Sequence, residues 1–587
     1  MTNIIKMKRF IPTAISIFFI MALLSLRPFK DDKGENLLIH RSGRVDDRSI
    51  ISCSPPLAPE GITTDVNGKY APIFPGWGHY SYRVRTSNDS AQLFFDQGLN
   101  LYYSYHFTEA FASFKEAARQ DPECAMAYWG QALSMGPYYN SYVYKMPAAV
   151  LPVLGKMNRA VTEGTEKEKD LVGAMNTRYS ADTSDVRRRE LNRAYSQHLA
   201  ILVKKYPADP DIKALYVDAV MLEHAWDFWE NDGTPKAWTA ELVAYCDQIL
   251  RDHPSHPAAL HYEIHLVEAS RHPEKALHNA DVLQRTMPGV SHMVHMASHM
   301  YQRNGLYTEG VEINERAAGL QVYYDSMAPN LKIGTYSLTH FDGVGAFCAM
   351  SSNMYSTGMQ LSARLRKVLS TTYKPRLSNT FFQYLYMMPM FTALRSGKWN
   401  AIIAEPMPDS SLRYAALLDE FGRGLALLRL HDTVSARLHL GKLQLLLKDS
   451  SLTVRNLPFN APLESAMIAK CILEGEIFFS EGRSDLAIRL LEEAVSREDK
   501  LIYREPKDWP IPARQFLGAC LLERNRALEA EAVYRKDLVF NPGNGWAFLG
   551  LYQSLARQRK TKEAEKYRAK YVRAFSSAEE LPPASVY

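Results

Sequence analysis

Histidine is concentrated in one part of the sequence, and its spacing there suits metal binding. His261 and His265 stand four residues apart in HYEIH, and His295 and His299 stand four residues apart in HMASH. Side chains four residues apart share one face of a helix, so each pair could chelate one ion through neutral imidazole nitrogens. Nine of the 17 histidines fall between positions 253 and 299, and an even spread of this residue type does not explain that density.

Two more histidines extend the candidate metal set. His292 lies three residues before His295 and shares its helical face, and His340, in GTYSLTHFDG, would reach the same place from the following helix. Zinc and copper are the expected ions, because both accept imidazole and neither needs the carboxylate-rich shell of calcium. The alternative is a groove rich in histidine and tyrosine that binds a peptide or small molecule without any metal.

Three other residues are candidates for ligand binding beside the histidines. Glu268 falls on the face of the first pair and could ligate the metal or orient an imidazole, unless it is only a solvated charge. Arg303 lies one turn beyond the second pair and could hold an anionic substrate, the alternative being a structural ion pair. His224, in MLEHAWDFWEN, could close one end of the site.

Motifs for other chemistry are missing from the sequence. HYEIH is not the zinc-protease motif, because Glu263 stands one position too late to act as the general base of that motif. The chain also has no nucleotide-binding loop and no G-x-S-x-G elbow. Any enzymatic activity would therefore rest on the histidines.

The elements that must position these residues are pairs of short helices. One segment, AQLFFDQGLNLYYSYHFTEAFASFKEAARQDP, has the spacing of a tetratricopeptide (TPR) repeat, in which small residues let two antiparallel helices pack closely. The residues at those positions are Gly98, Ala110, Phe114, Ala117 and Pro122, and a later copy has Gly518, Ala530, Tyr534 and Pro542. A single repeat cannot bury its apolar face alone. The sequence therefore predicts an all-α protein, a TPR-type α-solenoid whose helix pairs form a right-handed superhelix.

The histidines follow the register of these repeats. His261 and His265 lie 34 residues before His295 and His299, and one TPR repeat is about 34 residues long. The two pairs would then hold the fifth and ninth positions of consecutive first helices, which line the concave face of such a solenoid. We therefore expect all four imidazoles to face one groove, close enough to converge on one ion or to flank two close ions.

The N-terminus predicts export. The basic stretch MTNIIKMKRF precedes the apolar run IPTAISIFFIMALLSL, which is the arrangement of a signal peptide or a signal anchor. IISC, ending at Cys53, resembles a lipoprotein box, which would add a lipid anchor. Five regions are predicted: a signal peptide or anchor at 1–27, a polar linker and irregular leading segment at 28–87, a divergent N-terminal solenoid with the histidines at 88–400, a C-terminal solenoid at 401–575, and a tail at 576–587.

Charge and cysteine content exclude some partners. The net charge of +5 is spread over 587 residues with both signs mixed, so nothing in the composition points to nucleic acid. The six cysteines are scattered, with no C-x-x-C pair. They are expected to be small buried core residues rather than a zinc framework or a disulfide scaffold.

Several segments resemble a family of large exported bacterial TPR proteins that is largely uncharacterised. The most specific are HPAALHYEIHLVEAS and HMVHMASHMYQRNGLY, and others include AFASFKEAARQDPECAMAYWGQALSMGPYYN and YPADPDIKALYVDAVM. The resemblance covers most of residues 90–310. It implies the solenoid fold and export to the periplasm or cell envelope, but it implies no substrate or reaction.

Two functions of different classes follow. The first is an exported TPR solenoid that binds a protein, peptide or small ligand in its concave groove, with a zinc or copper site at the histidines. The second is a metal-dependent enzyme that acts at those histidines. The sequence leaves this choice open.

Overall fold

A computed structural model describes residues 61–139, 144–331, 336–371, 374–455 and 459–587. Within these ranges the chain folds into 25 α-helices and five short 3₁₀ turns, with one isolated bridge between Trp229 and Pro235 in place of any β-strand. Consecutive helices pack against each other in antiparallel order along most of the described chain. The predicted all-α fold of TPR-type helix pairs is confirmed.

The helices in chain order are α1 Asp89–Tyr103, α2 Phe107–Gln120, α3 Ala125–Ser134, α4 Val150–Ala160, α5 Glu166–Arg178, α6 Arg188–Lys205, α7 Pro210–Glu223, α8 Thr239–Asp252, α9 Pro257–Val267, α10 Leu277–Thr286, α11 Ser291–Arg303, α12 Tyr307–Met327, α13 Tyr336–Ser351, α14 Tyr355–Thr371, α15 Thr380–Tyr386, α16 Met388–Arg395, α17 Trp399–Ala404, α18 Arg413–Arg429, α19 Thr433–Leu446, α20 Pro462–Ser480, α21 Ser484–Glu498, α22 Ala513–Glu523, α23 Ala527–Phe540, α24 Gly545–Arg557 and α25 Thr561–Ala574.

Small residues set the distance between paired helices. A Cβ added at Gly98 of α1 or at Gly130 of α3 would overlap the ring of Phe114 on α2, so both neighbours of that ring must be glycine. The same arrangement recurs near the C-terminus, where Gly518 and Gly550 both receive the ring of Tyr534. Glycine costs up to about 1 kcal/mol in a helix. Close packing of a large buried ring offsets that cost.

The 34-residue register also holds where the histidines lie. Helix α9 begins at Pro257 and helix α11 begins 34 residues later, at Ser291. Pro257 occupies the first helical position, where its missing N–H is not needed, and the side chain of His256 caps the helix by accepting from the N–H of Ala259 at 3.3 Å. Local sequence therefore determines where α9 starts.

Buried apolar residues form two core clusters. The first extends from Ile62 to Phe341 and the second from Tyr307 to Ala564. The two sets overlap in sequence around helices α12 and α13, so the cores meet there. The predicted division at residue 400 falls inside the second cluster, and it stays a prediction.

The segment before α1 is irregular, as expected, but it is packed rather than a free linker. The ring of Phe74 stacks on Tyr324 at 4.8 Å between centroids. Gly289, just before α11, approaches so closely that an added Cβ would lie 2.0 Å from the carbonyl oxygen of Pro75. This close contact holds the described part of the leading segment against the start of α11.

The predicted signal segment, the lipoprotein box and Cys53 lie outside the described residues. Among the helices that the structure describes, none combines the length and the apolar character needed to cross a bilayer. The cysteines in the same ranges are free and buried, as the sequence predicts: Cys124, Cys246, Cys348, Cys471 and Cys520.

We expect alanine at Gly550 to destabilise the protein, because its Cβ would lie 2.1 Å from the Tyr534 ring. Overpacking of this kind costs about 1–3 kcal/mol. Alanine at Gly441, a helical position with nothing within 4 Å of the added Cβ, should stabilise by up to about 1 kcal/mol. Thermal unfolding of both variants tests the pairing. A Gly550→Ala protein as stable as Gly441→Ala would contradict it.

Candidate functional site

The two predicted histidine pairs lie side by side in the interior. His261 and His265 on α9 have their Nε2 atoms 3.1 Å apart, and His295 and His299 on α11 have theirs 3.0 Å apart. The rings of His265 and His299 lie 5.6 Å apart between centroids. Helical spacing aligns each pair, and the 34-residue offset places one pair beside the other.

Each of these four imidazoles has a carbonyl or carboxylate oxygen as the nearest partner of its Nδ1. Nδ1 of His261 contacts the carbonyl oxygen of Tyr103 at 2.6 Å, and Nδ1 of His265 contacts Oε1 of Glu268 at 3.0 Å. Nδ1 of His295 contacts Oδ1 of Asn314 at 2.6 Å. The amide of Asn314 donates in turn to a backbone carbonyl, which fixes its oxygen toward the histidine.

His299 completes this pattern with two carboxylates. Its Nδ1 lies 2.6 Å from Oε2 of Glu268 and 2.5 Å from Oε2 of Glu505. With the proton on Nδ1 in all four rings, a neutral imidazole carries its lone pair on Nε2. The Nε2 atoms of each pair therefore point their lone pairs at each other across about 3 Å, and such a contact requires a shared cation or proton.

The histidines divide into two groups of three potential ligands. Site A, as we name it, contains His261, His265 and His292, and site B contains His295, His299 and His340; within each group the ligand atoms lie within 4.8 Å of one another. Nε2 of His292 lies 3.2 Å from Nε2 of His261.

The prediction that His261, His265, His295 and His299 converge on one ion or flank two close ions stays a prediction, and the structure groups their ligand atoms by threes. Among the described residues, the one group of ligand atoms that takes an imidazole from each pair, His265 with His299, includes Glu268 as its third member. Each pair also meets a third ring: His292 comes from the start of α11, and His340 comes from α13.

The two sites differ in charge. Burial would lower the pKa of His299, but the carboxylates of Glu505 and Glu268 outweigh burial and raise this pKa to about 10. In site A, burial lowers the pKa of His261 far below its ordinary value, and burial with the charge of His299 lowers that of His265 to about 3. In the absence of a metal, a proton on His299 can bridge the site B pair, whereas the site A pair is neutral.

Glu268 orients imidazoles of both sites. Its carboxylate is fully buried, and its two oxygens accept from Nδ1 of His265 and from Nδ1 of His299. Glu268 is therefore not a solvated charge. A third group of potential ligands consists of His265, Glu268 and His299, and Glu268 joins the two sites within it. Burial raises the pKa of Glu268, and the neighbouring His299 opposes that shift.

The histidines do not line an open groove. His261, His295 and His299 are 0% exposed, and residues of the C-terminal half contact this region. Glu505 reaches His299 from the segment before α22, and Phe459 contacts Trp226 at 5.3 Å between ring centroids. The four imidazoles of the two pairs are therefore buried in the interior.

The two remaining candidate residues, Arg303 and His224, contact backbone carbonyls and a tryptophan ring rather than the six histidines. The guanidinium of Arg303 donates to three backbone carbonyls, those of Glu268, Ser270 and Phe540, at 2.7 to 3.1 Å. It therefore holds backbone rather than an anionic substrate or an acidic side chain. His224 caps the C-terminal end of α7 and stacks on Trp238 at 3.6 Å between centroids, and its ring contact is with Trp238 and not with the six histidines.

Sequence reasoning missed two residues that hold the site. Asn314 belongs to α12, the partner helix of α11, and is a polar residue that is only 1% exposed in the fold. Glu505 is separated from His299 by roughly two hundred residues of chain, and no local pattern connects them. Its side chain also accepts from Tyr503 and Gln302.

Comparisons with known proteins add only similarity of fold. No protein-family model matches the chain, and no curated protein matches it. The human IFIT1 dimer with m7Gppp-AAAA aligns over 85% of this chain and 92% of its own, at 11% identity and a TM-score of 0.29. Yeast Tom70 aligns over 82% and 90%, at 10% identity and a TM-score of 0.27.

The TPR domain of P58(IPK) aligns over 81% of this chain and 99% of its own, at 12% identity and a TM-score of 0.21. Matches at this level of identity and superposition carry no argument about function. The assignment as a TPR-type solenoid rests on the helix pairs and on the 34-residue register.

Replacing Arg303 with methionine should destabilise the protein by about 3 kcal/mol or more, because three buried carbonyls would lose their donor. Arg187→Met, at a surface ion pair whose arginine is 70% exposed, is the control and should change stability by less than about 1 kcal/mol. Chemical denaturation compares the two. Equal stability of the two variants would contradict the structural role of Arg303.

Acidification should destabilise the protein through His224, whose burial against Trp238 lowers its pKa to about 4. The unfolded imidazole titrates near 6.5, so the unfolded state binds more protons between about pH 6.5 and 4, and stability falls across that window. His224→Gln should flatten this part of the stability profile, whereas His272→Gln, at an exposed histidine, should not. Identical profiles for the two variants would count against the assignment.

Proposed function

We propose that this protein is a TPR-type solenoid that binds two transition-metal ions, zinc or copper, at sites A and B. The observation that carries the proposal is the tautomer pattern. Four imidazoles have a carbonyl or carboxylate oxygen as the nearest partner of Nδ1, and their Nε2 atoms face each other in pairs at 3.0 and 3.1 Å. Metal-ligating histidines commonly donate their second ring nitrogen to a carboxylate or a carbonyl, and this fixes the tautomer that ligates.

Protons alone do not satisfy site A. His292 has no hydrogen-bond partner on Nδ1, so a proton on its Nε2 could serve the contact with His261. That proton leaves the contact between His261 and His265 without one. Buried polar atoms are nearly always paired, and a metal ion would satisfy all three Nε2 atoms together.

Burial favours a metal over a peptide at this place. A peptide ligand needs an accessible surface, and the histidines of both pairs are at most 1% exposed. Binding of a protein, peptide or small ligand is therefore proposed for other surfaces of the solenoid. The best nitrogen ligands for zinc and copper are neutral imidazoles, and low dielectric strengthens their bonds to a cation.

A metal-dependent enzyme is the second candidate, and site B favours it. The residue His340 of site B is partly exposed, whereas its Nε2 is a buried atom without a hydrogen-bond partner, so this ligand lies just beneath the surface. Three protein ligands with an accessible fourth position are typical of catalytic zinc, which binds water there. The carboxylates of Glu268 and Glu505 behind His299 would raise the basicity of that imidazole toward a divalent ion.

We also propose that the protein is exported and acts in the periplasm or cell envelope, on the basis of the basic N-terminal stretch and the apolar run after it. Cell fractionation with sequencing of the mature N-terminus tests this. An intact N-terminus in a cytoplasmic fraction would contradict it.

Elemental analysis of protein purified without chelators tests the metal proposal. We expect about two ions per chain in the wild type, and about one after His261→Ala/His265→Ala or after His295→Ala/His299→Ala, because each double variant removes one site. His265→Ala/His299→Ala should carry close to none. The control is His272→Ala/His431→Ala, which changes two exposed histidines.

Unfolding measurements keep this test decisive if a variant folds poorly. Metal that binds only the folded state should stabilise apo wild type by about 2.7 kcal/mol at a concentration 100 times its Kd. The control variant should gain as much. Wild type without stoichiometric metal, and with no stabilisation by added zinc or copper, would overturn the proposal.

A further inference from the structure

We infer that site A takes copper as the monovalent cuprous ion, held by three imidazoles, and that Tyr105 is the positioning residue that keeps this site three-coordinate. The inference rests on the proposed metal-binding function and adds the charge of the ion, its coordination number and a residue that supports the site.

Tyr105 occupies a turn where the backbone is left-handed. In the first repeat, α1 ends at Tyr103 and α2 begins at Phe107, and Tyr105 between them has φ of 57°. Five of the equivalent turn positions elsewhere are filled by glycine or asparagine, the residues that adopt this conformation most readily: Gly305, Gly397, Gly482, Asn353 and Asn525. A bulky residue in this conformation costs about 1–2 kcal/mol.

Other large residues at this turn position point outward. His431 and Arg559 also have positive φ, and both are exposed. Tyr105 is only 3% exposed. Its backbone strain is therefore coupled to placing an aromatic ring in the interior, where a glycine would fold with less strain.

The ring of Tyr105 lies over site A. Its centroid is 4.5 Å from that of His261, 5.8 Å from that of His265 and 5.8 Å from that of His292. Among the described ring contacts, Tyr105 is the aromatic residue that contacts all three histidines of this site. Further rings extend the cover, with Tyr139 at 5.3 Å and Trp226 at 5.9 Å from His265.

This cover selects an ion that needs few ligands. Zinc in proteins is almost always four-coordinate, and with three histidines it takes a water as the fourth ligand. Cuprous copper has the same filled d shell as zinc but one positive charge less, and it accepts three imidazoles without a fourth ligand. A site with three nitrogen ligands under an aromatic ring therefore matches cuprous copper better than zinc.

The low charge of the groups around site A also favours a monovalent ion. The cost of burying an ion in low dielectric rises with the square of its charge, so a divalent ion costs about four times as much as a monovalent one. The carboxylates lie toward site B, where Glu268 and Glu505 both contact His299. Site A has only the shared Glu268 behind His265, and a backbone carbonyl behind His261.

The test is cuprous binding to the full-length apo protein under anaerobic conditions, with copper supplied as its acetonitrile complex and a cuprous chelator as competitor. We expect wild type to retain one copper that His261→Ala/His265→Ala loses, with an X-ray absorption spectrum of three nitrogen ligands. Tyr105→Ala should weaken this copper by about tenfold, the effect of losing a supporting residue around a metal site. Tyr105→Phe keeps the ring and should bind as wild type does.

Tyr534→Ala is the matched control, because it also removes a buried tyrosine at a TPR helix pair but far from the histidines in the chain. It should retain wild-type cuprous affinity. Equal cuprous affinity of Tyr105→Ala and wild type, a four-coordinate spectrum, or a preference of site A for zinc would overturn this inference while leaving metal binding intact. No binding of zinc or copper in either oxidation state would instead overturn the proposed function.

Discussion

The site depends on one buried carboxylate that accepts two imidazole N–H groups from different helices. Glu268 follows α9 directly, yet it binds His265 of its own repeat and His299 of the next. A buried charge without partners costs several kcal/mol, so this carboxylate can be accommodated only while both histidines keep their Nδ1 protons toward it. The Nε2 atoms of these two rings are directed away from Glu268, into sites A and B.

Arg303 supports the same arrangement from the backbone. It donates to the carbonyl of Glu268 itself and to that of Ser270, so the turn after α9 is held against the end of α11. Its third bond, to the carbonyl of Phe540, ties this turn to the C-terminal repeats. The pair of histidine helices and the segment that covers them are therefore fixed by one buried guanidinium.

Closure of the solenoid produces the difference between the two sites. Glu505 comes from the C-terminal half and adds a second carboxylate at His299, which raises the pKa of that imidazole. Site A receives rings instead, from Tyr105 and Trp226. The two sets of three histidines therefore differ in charge and in the side chains around them, because the surrounding repeats are not equivalent.

The sequence by itself determined the helix pairs, their 34-residue register and the pairing of histidines on each helix. These features depend on local patterns: the spacing of small residues such as Gly98 and Gly518, and the helical period that aligns His261 with His265. The position of Glu268 near the histidines followed from the same period.

Only the tertiary structure decided which three histidines could share an ion, whether they face solvent, and what lies behind each ring. Those features depend on contacts between residues far apart in the chain, such as Glu505 with His299 and Tyr105 with His292. The concave face was expected to be open because a repeat pattern specifies only contacts between neighbouring repeats. Whether distant repeats meet across that face depends on the summed rotation of all the helix pairs between them, and no single repeat in the sequence encodes that sum.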